Sequence, residues 1–387
     1  MRVLFTCVVG HGHFNPLVPL AKAFGAAGHD VAFATDPGFV SHVRGVGFEA
    51  HPAGIDMPEA FRRFLRTRPE WRTVTPQDQI RHIVPGLFAG VRIEPMLADL
   101  GPLIRDWRPD LLIHDPGEMA GGIAAELAGI AHAEHSFGVL RPTDIAVSAI
   151  EALEPVCRRL GIPNPGVSGL GGELYLDVCP PAIQRPEIAE RERVLRLRPV
   201  GFDDEPGTVI PAWLEDVGVD RPLIYVTMGT EFNQRPEVFR TILECLVDEP
   251  IDIVVTVGSR GDPDSIEPRS ANVRVERYVP QSRLLARASV FVSHGGSGAL
   301  LGATNAGVPM LAIPQGADQF LNAQRLVETG IGLRLLPDEL DPVAVDEAVV
   351  TLLEDRRYAD RIGEVRSGIA EMPMPDEVVS KLVRLAS

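Results

Sequence analysis

Four cysteines in 387 residues leave this chain little scope for thiol chemistry. Cys7, Cys157, Cys179 and Cys245 are far apart and form no Cys-x-x-Cys pair, so they suggest neither a zinc site nor a disulfide framework. Free thiols in a reducing cytoplasm are the expected state. No apolar run is long enough to span a membrane. The apolar segment Met1 to Val9 is too short for a signal peptide and runs straight into a glycine turn. Positive charge is in deficit: the formal net charge is −16 and the pI about 5.1. That balance argues against a nucleic-acid surface and an anionic membrane as partners. It leaves room for one small anion, because a local nest of N–H groups can outweigh a diffuse acidic field. No short internal repeat is visible.

What is present is a globular composition, 45% hydrophobic and 23% charged, with length enough for two domains. Buried-type strands alternate with helices in each half. Val3 to Val9, Val31 to Ala34, Leu111 to Ile113 and Ala131 to Glu134 read as strands of the first series. Leu223 to Thr227, Ile251 to Val257, Val273 to Tyr278, Val290 to Ser293 and Pro309 to Ile313 read as the second. Such alternation predicts parallel sheets with helices on both faces, an α/β doubly wound fold in each half. Residues 1–200 form the expected N-terminal domain, 201–219 a linker rich in proline and acids, and 220–373 the C-terminal domain. The tail 374–387 reads as an amphipathic helix whose apolar stripe needs a surface to cover. Residues 55–95 and 141–200 read as irregular, proline-rich insertions.

Each half carries a glycine- and histidine-rich turn at a strand end, where ligands bind in such folds. Ser293-His294-Gly295-Gly296-Ser297-Gly298 follows a strand and opens a helix that Gly307 ends. Unpaired N–H groups at a helix N-terminus favour an anion, and a phosphate or diphosphate is the simplest. Gly10-His11-Gly12-His13 follows the first strand. It is not a dinucleotide fingerprint, because Asn15 stands where the third glycine is required; Asp36, at a suggestive spacing, does not rescue an NAD site. Asn15-Pro16 predicts a helix start, with Asn15 as its cap. His13, beside that start, is expected to stay a neutral base, with Asp115 on a neighbouring strand end as its orienting carboxylate. A histidine that only hydrogen-bonds its own loop is the plain alternative. His11 and His114 are the nearby competitors.

Gly12-His13-Phe14-Asn15-Pro16, the Leu112-Ile113-His114-Asp115 strand end, Tyr278-Val279-Pro280-Gln281, and His294-Gly295-Gly296 through Gly307-Val308-Pro309 with Asp318-Gln319 and Asn322-Ala323 occur in order. Over almost its whole length the chain resembles the family 1 glycosyltransferases of GT-B fold, especially the actinobacterial enzymes that decorate antibiotics of calicheamicin and macrolide type. The C-terminal motif set is the more specific part of the match.

The resemblance implies two Rossmann-like domains facing across a cleft, a C-terminal helix within 374–387 that packs back on the N-terminal domain, and an inverting, metal-independent hexosyltransferase. By it, His13 removes the acceptor's hydroxyl proton and Asp115 steadies the imidazolium. His294, Gly296, Ser297, Gly298 and Thr230 hold the diphosphate. Tyr278 and Val279 hold the base, and Asp318 and Gln319 the donor sugar. No cofactor is implied beyond the nucleotide-sugar co-substrate. The sole Asp-x-Asp, Asp262-Pro263-Asp264, falls in an apparent surface turn. Enzymes of this family that use UDP-sugars commonly carry a glutamate eight residues after the histidine, where it accepts from both ribose hydroxyls. Gly302 stands there, which favours a dTDP-sugar, with a UDP-sugar as the alternative. Phe61, Phe64, Trp71, Phe88 and Phe137 are candidates for an apolar aglycone pocket, each equally able to be ordinary core. A cytoplasmic monomer or homodimer is expected. An auxiliary protein that has lost the chemistry is the non-enzymatic rival, and intact His13, Asp115 and His294 argue against it.

Overall fold

A computed structural model describes residues 1–162, 174–203, 209–229, 235–247, 249–258, 261–268 and 270–386. The chain divides into two units. The first comprises Met1–Cys179, Gln184–Val200 and Met372–Ser387; the second comprises Pro180–Ile183 and Gly201–Glu371. Among the described residues no helix is long and apolar enough to cross a membrane.

The first unit is built on seven strands: β1 Arg2–Thr6, β2 Asp30–Thr35, β3 Glu49–Pro52, β4 Leu111–His114, β5 Ala131–His135, β6 Leu174–Asp177 and β7 Val194–Arg196. Their order is β3-β2-β1-β4-β5-β6-β7, and every pair is parallel. The middle strands are apolar on both faces because helices cover both. Val3, Leu4 and Phe5 of β1 are wholly buried, and Phe5 stacks on Phe33 of β2 at 5.0 Å. The helix Pro375–Leu385 closes this unit by burying Val378, Val379 and Leu382 against the helix Val18–Ala26. Its N-terminus is fixed by Glu377, whose Oε2 accepts from the Met374 N–H at 2.7 Å.

The second unit has six strands: β8 Leu223–Thr227, β9 Asp252–Thr256, β10 Val273–Glu276, β11 Val290–Ser293, β12 Met310–Ala312 and β13 Gly332–Arg334. They run β10-β9-β8-β11-β12-β13, again all parallel. Phe239 and Leu243 of the helix Pro236–Leu246, with Val345 and Val349 of the helix Pro342–Glu354, pack on one face of this sheet. In both units the strand order reverses beside the first strand, between β1 and β4 and between β8 and β11. Those reversals are where the backbone leaves room for a ligand at the carboxyl ends of the strands. Thr6 pairs with His114 in one sheet and Thr227 with Ser293 in the other. The turns that follow these residues are the two glycine-rich turns and their neighbours.

Three sequence expectations change. The helix expected to open at Asn15-Pro16 is two elements: a four-residue helix His11–Phe14 and, after a turn, Val18–Ala26. Asn15 lies at the C-terminal end of the first, and no side-chain cap forms on the second. Residues 141–200 are more regular than their prolines suggest. Thr143–Leu160 is a helix of 18 residues with Pro155 inside it, and β6 and β7 extend the sheet. Ile145, Ala149, Ile150, Leu153 and Cys157 line its buried face, and that helical spacing outweighs a single proline. Within 55–95, Met57–Thr67 is a full helix, and Val84–Val91 is a π-helical stretch leading into Ile93–Trp107.

Candidate functional site

At the first reversal the chain leaves β1 through the turn ending at Gly10, whose φ of 129° suits glycine alone. The short helix that follows carries His13. Its Nδ1 lies 2.8 Å from Oδ1 of Asp115, the first residue after β4. Asp115 is fully buried and accepts two more bonds: Oδ2 from the Val8 N–H at 2.7 Å and Oδ1 from the Gly117 N–H at 2.6 Å. Burial alone would raise its pKa. The charge and hydrogen bond of His13, with the two backbone donors, outweigh burial and hold the carboxyl below its ordinary range. An ionised carboxylate only accepts, so Nδ1 carries the proton and Nε2 is left as the basic nitrogen. The carboxylate thus sets the tautomer. The expected helix N-terminus is not beside the ring, since His13 is the third residue of its four-residue helix.

Gly117 makes this pair possible. A Cβ there would lie 2.9 Å from Cε1 of His13 and 3.0 Å from Oδ1 of Asp115. The sequence reading missed it; its one signal was a glycine two residues beyond the carboxylate. The competing histidines face elsewhere. His11 packs on His42 and Phe39 at 4.6 and 5.9 Å. His114 is buried, neighbours His132 at 5.8 Å, and is pushed by burial down to about 4. Asp36 is buried in an ion pair with Arg92, so it has no part in a nucleotide site.

The five aromatic candidates separate. Phe137 and Phe88 flank the His13 ring at 4.9 and 6.1 Å. Phe61, Phe64 and Trp71 pack on one another at 5.2–5.7 Å in a local cluster, with Phe64 fully buried as core. Phe137 also lines a cavity together with Pro116, the neighbour of Asp115.

In the second unit, β11 is followed at once by His294, whose ring lies between two glycines. A Cβ on Gly229, at the end of β8, would sit 2.5 Å from Cε1, and one on Gly296 would sit 2.6 Å from Nε2. Gly229 and Gly295 have φ near +75°, which only glycine adopts readily. Burial drives His294 down to about 4, so at neutral pH it acts through its dipole and N–H rather than a charge. The helix Ser297–Ala306 starts beside it with Gly296 at its N-cap and no side-chain cap, and Gly307 ends it with φ 75°. Its N-terminal amides and the histidine are groups of the kind that hold an anion by dipoles alone. Thr230 lies outside the described residues.

Behind that helix start, Ser297 donates its hydroxyl to Oδ2 of Asp318 at 2.6 Å. Nδ2 of Asn322 bonds the same carboxylate oxygen at 2.9 Å and the Gly295 carbonyl at 3.0 Å. Asn322, absent from the expected site residues, therefore ties the glycine turn to the Asp318 loop. Gln319 is buried, and its Oε1 accepts from the N–H groups of Gln315 and Gly316 at 2.7 and 3.1 Å. Here it shapes the loop. Ala317, at φ 52°, is one of the few non-glycine residues in the left-handed region and sits in that same loop. Tyr278 is 56% exposed while its hydroxyl donates to the Asp203 carbonyl at 2.6 Å; Val279 is buried. Gln281 is a further neighbour. Its Nε2 lies 2.5 Å from where a Cβ of Gly302 would be, and 3.4 Å from the Gly298 carbonyl. Asp262 caps its own exposed turn through Asp264, and among the described residues no group of three His, Cys, Asp or Glu could hold a metal ion.

Comparison with known proteins fits this geometry. The erythromycin biosynthesis protein CIII-like family matches by its N-terminal domain over residues 22–229 and by its C-terminal domain over 240–385. L-demethylnoviosyl transferase of Streptomyces niveus is 33% identical over 91% of this chain and 89% of its own length. Among solved structures, spinosyn rhamnosyltransferase SpnG complexed with thymidine diphosphate superposes with a TM-score of 0.79 at 25% identity, covering 99% of this chain and 100% of its own. The glycosyltransferase VinC in complex with dTDP gives 0.77 at 27% identity, covering 100% and 99%.

Proposed function

From the premise that this chain belongs to the erythromycin biosynthesis protein CIII-like family, and is therefore a glycosyltransferase of GT-B fold, we propose an inverting transfer of a sugar from a dTDP-sugar to a hydroxyl of a hydrophobic aglycone. The observation that carries it is the hydrogen bond from His13 to a buried, doubly anchored Asp115 at the first sheet's reversal. Nε2 of His13 takes the acceptor's hydroxyl proton. The oxygen then attacks the anomeric carbon from the face opposite the diphosphate, so a single displacement inverts the configuration. Asp115 stabilises the imidazolium as it forms. Charge grows on the leaving diphosphate, and the N–H groups of Gly296, Ser297 and Gly298 with His294 meet it. Protein dipoles do this work in place of a divalent cation. The loop of Asp318 and Gln319 meets the donor sugar, with Gln319 acting by shaping that loop from beneath, and Tyr278 stacks on the base.

The nucleotide reading rests on Gly302. A carboxylate at that position would accept from two ribose hydroxyls, one of which a deoxyribose lacks, and Gln281 already lies over the glycine. Thymidine diphosphate in SpnG and VinC supports the same choice. The decisive experiment is His13→Ala. Transfer should fall by about 10²–10⁴-fold while dTDP affinity, measured by calorimetry, stays within a few-fold. Undiminished turnover would assign the base role to another residue.

A further inference from the structure

The cavity beside His13 and Asp115 is not apolar throughout. Pro116 and Phe137 connect it to the catalytic pair, and its empty space is about 590 Å³ with the open mouth included. Arg141, Arg191, Glu134 and Tyr175 also line it. Arg191 is only 14% exposed, and its guanidinium lies 3.9 Å above the Tyr175 ring centroid. It faces Glu134 across 3.6 Å, too far for a hydrogen bond. Its Nη1 is buried with no hydrogen-bond partner among the described residues. Arg141 donates to the Pro116 carbonyl at 2.7 Å and so braces the segment that follows Asp115.

Two arginines and one glutamate line this cavity, and the carboxyl groups of Asp115 and Asp177 also act on the arginines from nearby. Burial keeps the Tyr175 hydroxyl protonated, so it adds no negative charge. A buried guanidinium lacking a hydrogen bond costs stability. An oxyanion on a ligand would remove that cost by accepting from Nη1, and guanidinium is suited to a planar acid.

Building on the transferase reading above, we propose that this cavity selects acceptors bearing an ionised oxygen acid, a carboxylate or an acidic phenolate, seated on Nη1 of Arg191. The acceptor's ring then lies along Phe137 and its reacting hydroxyl turns to His13. Glu134 orients the guanidinium and keeps its other side occupied. Arg191 is thus a specificity-determining residue for the acceptor.

The test is a fluorescence titration of the full chain, without any donor, using 6-hydroxy-2-naphthoate and its methyl ester. The two differ in charge and share one ring system. The acid should bind about tenfold more tightly than the ester, as one charge-assisted hydrogen bond predicts. Arg191→Met, which keeps length and contact with Tyr175, should erase that preference without weakening the ester. Glu134→Gln should tighten the acid further. Equal affinities in the wild type, or a preference that survives Arg191→Met, overturns the proposal. If Arg191→Met does not fold, Arg191→Lys carries the test: it retains charge but loses the planar stack, and the acid's advantage should shrink by at least about threefold. An unchanged advantage in that variant also overturns the proposal. No donor is present, so the outcome is separable from the loss of transfer expected of His13→Ala.

Discussion

A glycine two residues past a carboxylate decides whether the His13–Asp115 pair can form. His13 and Asp115 were legible because each lies in the segment that follows a strand, β1 for His13 and β4 for Asp115, and adjacent parallel strands bring the segments at their carboxyl ends together. Gly117 was not legible, because what it does is leave room. Its N–H holds Asp115 while its missing side chain admits the imidazole. Gly117→Ala should therefore shift the ring by a few tenths of an ångström or more and lower kcat by up to about 10²-fold, the cost of misplacing a reacting group. The dTDP dissociation constant should stay unchanged, since the nucleotide is assigned to the other unit. Full activity in steady-state assays would mean that the pair tolerates displacement. The same logic of space explains Gly229 and Gly296, between which the His294 ring lies.

Elements were readable where periodicity and punctuation agreed. The strand–glycine turn–helix at Val290–Ala306 combines an apolar run, a glycine cluster and a terminal Gly307, and all of these are realised. Thr143–Leu160 was misread because Pro155 and the flanking prolines outweighed a sound apolar stripe, and Arg356–Ala370 went unread because its surface is highly charged. The tail helix Pro375–Leu385 was visible from its spacing, yet the sequence could not say what it covers. It covers Val18–Ala26, the helix that follows the His13 turn. Leu382→Ala should accordingly destabilise the first unit by about 2–5 kcal/mol, the usual loss for a fully buried leucine, read from its urea midpoint. A shift under about 0.5 kcal/mol would make that packing peripheral. The helix Ser297–Ala306 and the turn at Gln281 set the second element-scale expectation. Competition binding should favour dTDP over UDP, and Gly302→Glu, which displaces the end of Gln281, should narrow the gap. Tighter UDP binding by the wild type would reverse the donor assignment.

For the molecule as a whole, the puzzle is an acidic chain that is assigned a dianionic donor. Its net charge of −16 produces a field that repels a nucleoside diphosphate at long range. The anion site answers with groups that are not ions. They are amides at an uncapped helix start and a histidine that burial keeps neutral at pH 7. Dipoles act over one turn of helix and are poorly screened at contact, whereas the diffuse repulsion is screened beyond about 10 Å at 0.1 M salt. The two effects should leave dTDP affinity nearly insensitive to ionic strength. Between about 20 mM and 500 mM sodium chloride the dissociation constant should move by less than about threefold, and the association rate should rise slightly as the repulsion fades. A tenfold weakening, about the loss expected of a contact carried by fixed arginine charges, would instead assign the diphosphate to the guanidinium groups near Gln315, where Arg235 bonds that loop at 2.9 Å. Stopped-flow titration across that salt range distinguishes the two, because the dipolar site predicts a slightly rising association rate at a nearly constant dissociation constant, whereas a guanidinium-held diphosphate predicts a dissociation constant that climbs with salt.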